Sequence, residues 1–492
     1  MLERSIGLST DLYELTMAAA YFENGLNDRA VFELSIRHLP PPRTYLIAAG
    51  LEQALEYLSE LRYTARDIDY LKDLPAFAKV SREFFEYLKE MRFTGDVWAM
   101  PEGTAAFAME PLLRVEAPII EAQIIETFLL SVLNFETLIA TKAARMVTAA
   151  RGRSIVDFGT RRAHGMEAGL LAARAAFIGG CAGTSNVEAG SALGIPVFGT
   201  VAHSFIMAFD DEAAAFRSFL DVFPENGTLL LDTYDTIAAA EMLTREFGPM
   251  VQSVRLDSGD LLTLGKEVRR ILDQGGMRNT DIIASGDLNE YKIQGLINNG
   301  APIDSFGVGT ELTTSFDWPA LGGIYKLVAL YRNGVPMPKA KLSPDKATYP
   351  GAKQVWRFTD ERGRYSGDLI TFADEAPPRT NRSGTEGRPL LQPVMAGGVV
   401  IDPLPKLMDA GEMRKARLAR LKKAQDRAAS ELSYLAPELL EIESQPEVDG
   451  HEPRTAPARH ESSASSATKP GYPVRFSDRL ERARQKLGSA NC

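Results

Sequence analysis

The sequence predicts an α/β protein: an irregular, TIM-like α/β barrel joined to a second α/β domain formed by the N-terminal and post-barrel segments. Three features predict it. Short strand-like runs alternate with helical stretches through the middle of the chain: SIVDFG from Ser154, PVFGT from Pro196, TLLLD from Thr228, SVRLD from Ser253, DIIAS from Asp281 and DSFGVG from Asp304. Such alternation marks parallel strands joined by crossover helices. The runs recur on the scale of the roughly 30 residues that a strand–helix unit needs, which favours a barrel over an open doubly wound sheet. Past Leu327 the rhythm changes to strands broken by Gly and Pro, as in VPMPKAKLSPDKATYPGAKQVWRF, so the chain leaves the barrel there.

The elements follow in order. Residues 1–118 read as an N-terminal α/β domain, completed by about 325–442, and residues 119–324 as the barrel. The first helix carries Asp11 and Glu14 at capping-box spacing and stops at Gly25, which puts Tyr13 in its first turn. From Ile119 to about Ala150, Ile124, Phe128, Val132, Phe135 and Ile139 recur at helical spacing and describe one or two long buried helices. Residues 409–442 form a charged amphipathic helix whose basic run reads as a solvated face. From Glu443 to Pro473 the Ser, Pro, Glu and Ala bias cannot support a core, so 443–492 is expected to be a disordered tail, with at most a short helix at its end.

Composition narrows the function. The formal charge of −10 leaves no electrostatic footprint for nucleic acid, so a phosphate-rich substrate has to meet a local basic patch. The two cysteines, Cys181 and Cys492, make neither a disulfide framework nor a metal spacing. Charges interrupt the N-terminus where a signal peptide needs an apolar stretch, and no run reaches the roughly 18 apolar residues of a membrane helix. The expectation is a cytoplasmic protein with neither membrane nor nucleic acid as partner. No G-x-G-x-x-G follows a strand and no P-loop motif occurs.

In barrels the active site is built from loops leaving the C-terminal strand ends, and here each predicted strand ends in polar or Gly-rich residues. These loops are Asp157–Arg162, Gly199–Ser204, Asp232–Thr233, Asp257–Asp260, Ser285–Asp287 and Gly307–Thr310. The last two suit a phosphate, because small residues let backbone N–H groups approach an anion. Either alone reads equally well as a tight turn. Asp232, Asp257 and Asp260 suit ribose hydroxyls or a magnesium ion shared with pyrophosphate, against a plainer reading as helix N-caps. His203 ends a strand directly before a helix, where a group titrating near neutrality suits a nucleophile or proton carrier; a lone histidine is otherwise more often structural. Arg161 and Arg162 follow an aromatic residue, and a guanidinium there suits a carboxylate or phosphate, with only one of the two needed.

With those residues in view, the chain resembles the nicotinate phosphoribosyltransferases, type II phosphoribosyltransferases, over roughly residues 5 to 440. The resemblance rests on TDLYELTMAAAY near the start, FGTRRAHG at 158, GGCAGTSNVEAG at 179, GTVAHSF at 199, RLDSGDL at 255, SGDLNE at 285, SFGVGTELTTS at 305 and KLSPDKATYPGAKQV. It implies synthesis of nicotinate mononucleotide in NAD salvage from nicotinate and phosphoribosyl pyrophosphate, with Mg2+ held mainly by the pyrophosphate and ATP as co-substrate. It also implies a homodimer with shared active sites. The pyridine ring is then sandwiched between Phe158 and a partner's Tyr13, with Arg161 near the carboxylate and Ser185, Ser204 and Arg255 around it. His203 becomes the histidine phosphorylated by ATP, and Asp257 supplies negative charge near an oxocarbenium-like state. Asp232, Ser285, Gly286, Asp287, Gly309 and Thr310 hold the phosphoribosyl group, with Arg37, Lys339 and Lys341 reaching pyrophosphate or nucleotide from the smaller domain.

Other functions compete. The sister enzyme that uses nicotinamide resembles this chain around GTSNV but carries an aspartate where Ser185 stands; an aspartate would repel a carboxylate substrate, so Ser185 argues for nicotinate. Quinolinate, with two carboxylates, calls for a denser basic cluster than Arg161 and Arg162. A non-catalytic nucleotide-binding barrel would have no need of His203, Asp257 and the SGD loop. A sugar-phosphate aldolase or isomerase would want a Lys or Glu at a strand end, and none of the six supplies one.

Overall fold

The structure, a computed structural model, describes residues 5–225, 227–343, 346–379, 386–404, 409–442 and 471–490. Leu229, Leu230, Val254, Leu256, Ile282, Ala284, Phe306 and Val308 are fully buried, as expected of strands covered on both faces. They belong to a parallel sheet ordered Gly183–Thr184, Ser154–Asp157, Ser305–Val308, Asp281–Ala284, Ser253–Leu256 and Thr228–Leu230. Read cyclically, that order follows the chain, and a bridge from Thr184 to Val197 extends one edge. No ladder joins Val197 to Thr228–Leu230, so among the described residues the expected α/β architecture is a mixed α/β fold with a parallel sheet whose strands do not form a closed ring. The PVFGT run supplies one bridge rather than a strand, because Pro196 has no N–H to donate and Gly199 to Ala202 run irregularly.

Five of the helices around this sheet start on Asn or Asp caps. Asn186, Asp211, Asp235, Asp260 and Asn289 each accept backbone N–H groups of the following first turn. Asp260 is therefore a cap, as the plainer of its two readings has it. The first helix, Leu12–Glu23, departs from expectation. Asp11 and Glu14 do not form a capping box; both carboxylates accept from Thr127 instead, at 2.9 Å for Asp11 and 2.6 Å for Glu14 to the hydroxyl.

A second, antiparallel sheet has the order Val335–Pro338, Gly323–Arg332, Arg29–Ile36, Pro111–Pro118, Asp96–Ala99, Gln392–Ala396 and Val399–Val400, so late strands pair with early ones. A third sheet joins Arg388–Pro389, Lys353–Thr359, Tyr365–Phe372 and Val474–Phe476. The last of these corrects the expected tail. Residues 443–470 lie outside the described residues, but Tyr472 stacks on Phe107 at 3.6 Å and a helix spans Asp478–Ala490. Aromatic and apolar residues at the end of the chain, Tyr472, Val474, Phe476 and Leu480, supply a packing face that the preceding Ser- and Pro-rich stretch lacks.

The helix Ile119–Ile124 packs into one of the two large apolar cores, and Glu126–Ala150, the longer helix, runs between them. The longer one buries Glu136 against Arg174, which also holds Glu102 at 2.7 Å and Glu52 at 2.9 Å. Three carboxylates share one guanidinium. Burial raises the Glu136 carboxyl to about 7; Arg174 opposes the rise and Glu102 adds to it. A carboxyl raised above its unfolded value favours folding below that value, and this contribution is lost as pH climbs through the folded one. We therefore expect Glu136→Gln to flatten the stability loss between about pH 5 and about pH 8, by up to about 3 kcal/mol. Denaturation midpoints of both proteins at the two pH values measure this.

Candidate active site

The strand ends carry the polar groups. Asp157, the last residue of its strand, is buried and accepts from Gly159 N–H at 2.8 Å, the Thr184 hydroxyl at 2.7 Å and the Thr313 hydroxyl at 3.2 Å. One carboxylate thus ties the loop of Phe158 to that of Ser185 and to the turn after Gly309. Burial raises its pKa, against those hydrogen bonds. Close packing of these loops excludes side chains: a Cβ on Gly159 would lie 1.5 Å from Thr313 Oγ1, and one on Gly307 would lie 2.5 Å from the Phe158 ring.

Across the mouth, Arg255 gathers the remaining loops. Its guanidinium donates to Ser285 Oγ at 2.8 Å, Thr200 Oγ1 at 2.7 Å and Asp257 Oδ1 at 2.6 Å, and its carbon lies 5.8 Å from the Phe158 ring centre. The bond to Thr200 spans the gap where the sheet lacks a ladder. Asp257 also accepts from Ser285, and His203 Nε2 lies 3.9 Å from its other oxygen. Burial pushes the Asp257 carboxyl up, but Ser285, Arg255 and His203 outweigh it and hold it below the usual aspartate value. His203 Nδ1 lies 3.2 Å from Thr233 Oγ1, leaving Nε2 without a hydrogen bond among the described residues, since 3.9 Å is too long for one. Asp232 accepts from Asp257 N–H and Ser258 through Oδ2, while its buried Oδ1 has no partner among the described residues.

The structure brings together Phe158, His203, Arg255, Asp257, Asp232 and Ser285, with Ser185, Gly286 and Gly309 on adjoining loops. Ser204 is exposed in the short helix His203–Met207. Arg161 and Arg162 are exposed in the turn Thr160–Arg162, and neither guanidinium has a partner among the described residues. Thr310 opens a helix of a single turn, Thr310–Thr313, so little helix dipole stands behind that loop. Tyr13 stands apart on the first helix, half exposed; burial raises its hydroxyl pKa, with Glu126 and Glu14 adding to the rise. Arg37, Lys339 and Lys341 lie just past strands of the antiparallel sheet instead: Arg37 donates to Lys346 O at 3.0 Å, Lys339 N–H to Val328 O at 2.7 Å, and Lys341 N–H to Thr348 Oγ1 at 2.9 Å. Sequence reasoning gave no role to Asp157, Thr200, Thr233 or Thr313. The signal for Asp157 was present, as a carboxylate that directly follows the apolar pair Ile155 and Val156 at the strand's end.

Gly286 sets the shape of the SGD loop. Its φ is +98°, and a Cβ would lie 2.0 Å from Asp257 O. We expect Gly286→Ala to lower stability by roughly 1–3 kcal/mol. Gly276→Ala has a similar φ, +79°, with nothing within 4 Å, and should cost about 1 kcal/mol at most. Chemical denaturation of the two variants separates steric clash from backbone strain.

Comparison with known proteins assigns the chain. Models described as the nicotinate phosphoribosyltransferase (NAPRTase) N-terminal domain, the NAPRTase family and the nicotinate phosphoribosyltransferase C-terminal domain match residues 8–134, 153–334 and 352–434. Nicotinate phosphoribosyltransferase pncB2 of Mycobacterium tuberculosis is 44% identical over 441 residues, 89% of each chain. The Bacillus subtilis nicotinate phosphoribosyltransferase is 44% identical over 381 residues, 75% of this chain and 77% of that one. The crystal structure of human nicotinic acid phosphoribosyltransferase superposes with a TM-score of 0.77 at 28% identity, covering 97% of this chain and 99% of the human one. With three family models matched in chain order along most of its length, the chain is an enzyme that belongs to the nicotinate phosphoribosyltransferase family.

Proposed function

We propose that the chain joins nicotinate to phosphoribosyl pyrophosphate, releasing pyrophosphate and forming nicotinate mononucleotide for NAD salvage, with ATP hydrolysis coupled through His203. The observation that carries this reading is the Arg255–Asp257–Ser285 cluster beside Phe158 and His203. Phe158 offers a flat face to the pyridine ring. Arg255 has its donors engaged within the protein, so Arg161 or Arg162, exposed and without a partner among the described residues, is the better grip for the carboxylate. Ser185 places no charge against it. The ring nitrogen bonds to the ribose anomeric carbon as the bond to pyrophosphate oxygen breaks, and the electron pair leaves with pyrophosphate. Positive charge develops on the ribose, and Asp257, held ionised, is the nearby anion that stabilises it. Ser285, Gly286, Asp287, Gly309 and Thr310 form the cradle for the 5′-phosphate, and Arg37, Lys339 and Lys341 meet the pyrophosphate or ATP.

Asp232 fits Mg2+: its buried Oδ1 has no hydrogen bond, and magnesium takes one or two carboxylates together with substrate phosphates. Bound there, it would neutralise the departing pyrophosphate. His203 suits phosphoryl transfer because Thr233 can orient the Nδ1–H tautomer, leaving the Nε2 lone pair to attack the γ-phosphorus as ADP departs.

The homodimer belongs to the same reading. Among the described residues no aromatic ring stacks on Phe158, while Leu12 and Tyr13 stand exposed on the first helix, so Tyr13 would cover the site of a second copy. We further propose that the sheet is an incomplete barrel, that 1–118 with about 325–442 forms one domain and 119–324 the other, and that the enzyme works in the cytoplasm. No helix among the described residues is long and apolar enough to cross a membrane.

Product assays with phosphoribosyl pyrophosphate, Mg2+ and ATP, offering nicotinate, nicotinamide and quinolinate separately, test the proposal. Nicotinate alone should give product, and His203→Ala should lose ATP stimulation and labelling by γ-phosphate. Ser185→Asp should lower nicotinate turnover roughly tenfold or more through like-charge repulsion. Product from nicotinamide with the unaltered chain would refute the reading of Ser185.

A further inference from the structure

The last described segment of the chain packs on the antiparallel part of the molecule. Val474–Phe476 adds a parallel strand to Tyr365–Phe372, with Asp368 opposite Val474 and Ile370 opposite Phe476. The helix that follows is fastened by Ser477 to Glu375 at 2.8 Å, by an Arg479–Asp374 ion pair at 2.8 Å and by the fully buried Leu480.

Tyr349 is where this segment meets the basic loop. Phe476 stacks on its ring at 3.6 Å with an interplanar angle of 10°, and the Arg484 guanidinium lies 4.6 Å from the ring centre. The Tyr349 hydroxyl donates to Glu481 at 2.9 Å and accepts from Arg484 at 2.8 Å. Its carbonyl accepts from Lys353, which is paired with Glu33 at 2.8 Å. The preceding residue, Thr348, exchanges two bonds of 2.9 Å with the backbone of Lys341, and Lys346 O holds Arg37 at 3.0 Å. A continuous set of contacts therefore runs from the C-terminal helix through Tyr349 to Lys341 and Arg37. Beyond Pro338 the described loop has no strand pairing and is largely exposed at Lys341 and Lys346. Ammonium groups on such a loop bind an anion well only when the loop is held in one conformation.

We infer that the C-terminal strand and helix are a clasp that sets the position of Lys341 and Arg37, with Phe476, Glu481 and Arg484 acting as positioning residues through Tyr349. The inference rests on the proposal that these two basic residues meet an anionic substrate. Loosening the clasp raises the KM for that substrate and leaves nicotinate binding and turnover alone, because Phe158, Asp257 and His203 lie in the loops beyond the parallel sheet, which the clasp does not join.

The test uses the full chain carrying Glu481→Ala with Arg484→Ala, and Lys341→Met separately. Steady-state kinetics are measured for phosphoribosyl pyrophosphate, ATP and nicotinate, alongside amide exchange over 339–349 and the thermal midpoint. The expected result for the double variant is a KM for phosphoribosyl pyrophosphate or ATP raised roughly fivefold to tenfold, an unchanged kcat and nicotinate KM, and faster exchange in the loop. Lys341→Met should raise the same KM without faster exchange. If Lys341→Met raises that KM and the double variant does not, the clasp is overturned while the anion reading stands. If Lys341→Met changes neither KM, the anion reading fails and the inference falls with it. A double variant that loses kcat and thermal midpoint together would make the segment merely structural and overturn the inference.

Discussion

Burying the 25-residue helix Glu126–Ala150 between two apolar cores obliges its polar side chains to find partners inside the protein. Those partners hold the molecule together. Thr141 accepts from Ile47 N–H at 2.9 Å, and Thr137 from Ala49 N–H at 3.2 Å. Lys142 pairs with Glu290 at 2.6 Å and Asp317 at 2.9 Å, and Arg145 with Glu290 at 3.1 Å. Arg43 closes the set on Asp317 at 2.6 Å and on Ser315 at 2.9 Å. Glu290 follows the SGD loop and Asp317 follows the Gly309 loop, so the proposed phosphate loops are braced from behind by cations of a different layer. Removing one member of such a set leaves a buried charge without compensation, which is far costlier than losing a surface pair.

The mouth of the parallel sheet is arranged differently. There, charges are balanced but not sealed: Asp257 lies beside Arg255 and His203, all three partly accessible, and Asp232 keeps one oxygen without a partner among the described residues. A group that must meet a changing charge has to retain spare bonding capacity. The buried carboxylate of Asp157, by contrast, has both oxygens engaged by the protein.

Much of this was legible in the residues. The parallel strands were legible because full burial writes itself as continuous apolar runs, and the strand-end loops because each run stops at Asp, Gly or Ser. What was not legible involved partners far apart in sequence. Nothing near Asp11 or Glu14 announces Thr127 as their common donor. The two-residue strand Gly183–Thr184 is too short and too Gly-rich to show a period, whereas PVFGT shows one and forms only a bridge. At the chain's end the composition of the Ser- and Pro-rich stretch masked four apolar residues, and their packing depends on Phe107 and Tyr349, more than a hundred residues away in sequence.

The unclosed sheet has a bearing on self-association. An open sheet ordinarily presents unpaired backbone that invites a strand from another molecule, and long flat edges are the usual seeds of aggregation. Here one edge is Thr228–Leu230, three residues with both leucines wholly buried, and the other is Gly183–Thr184, already bridged by Val197. Neither offers enough free backbone to template an intermolecular ladder. The molecule leaves a gap among its loops without acquiring an adhesive edge.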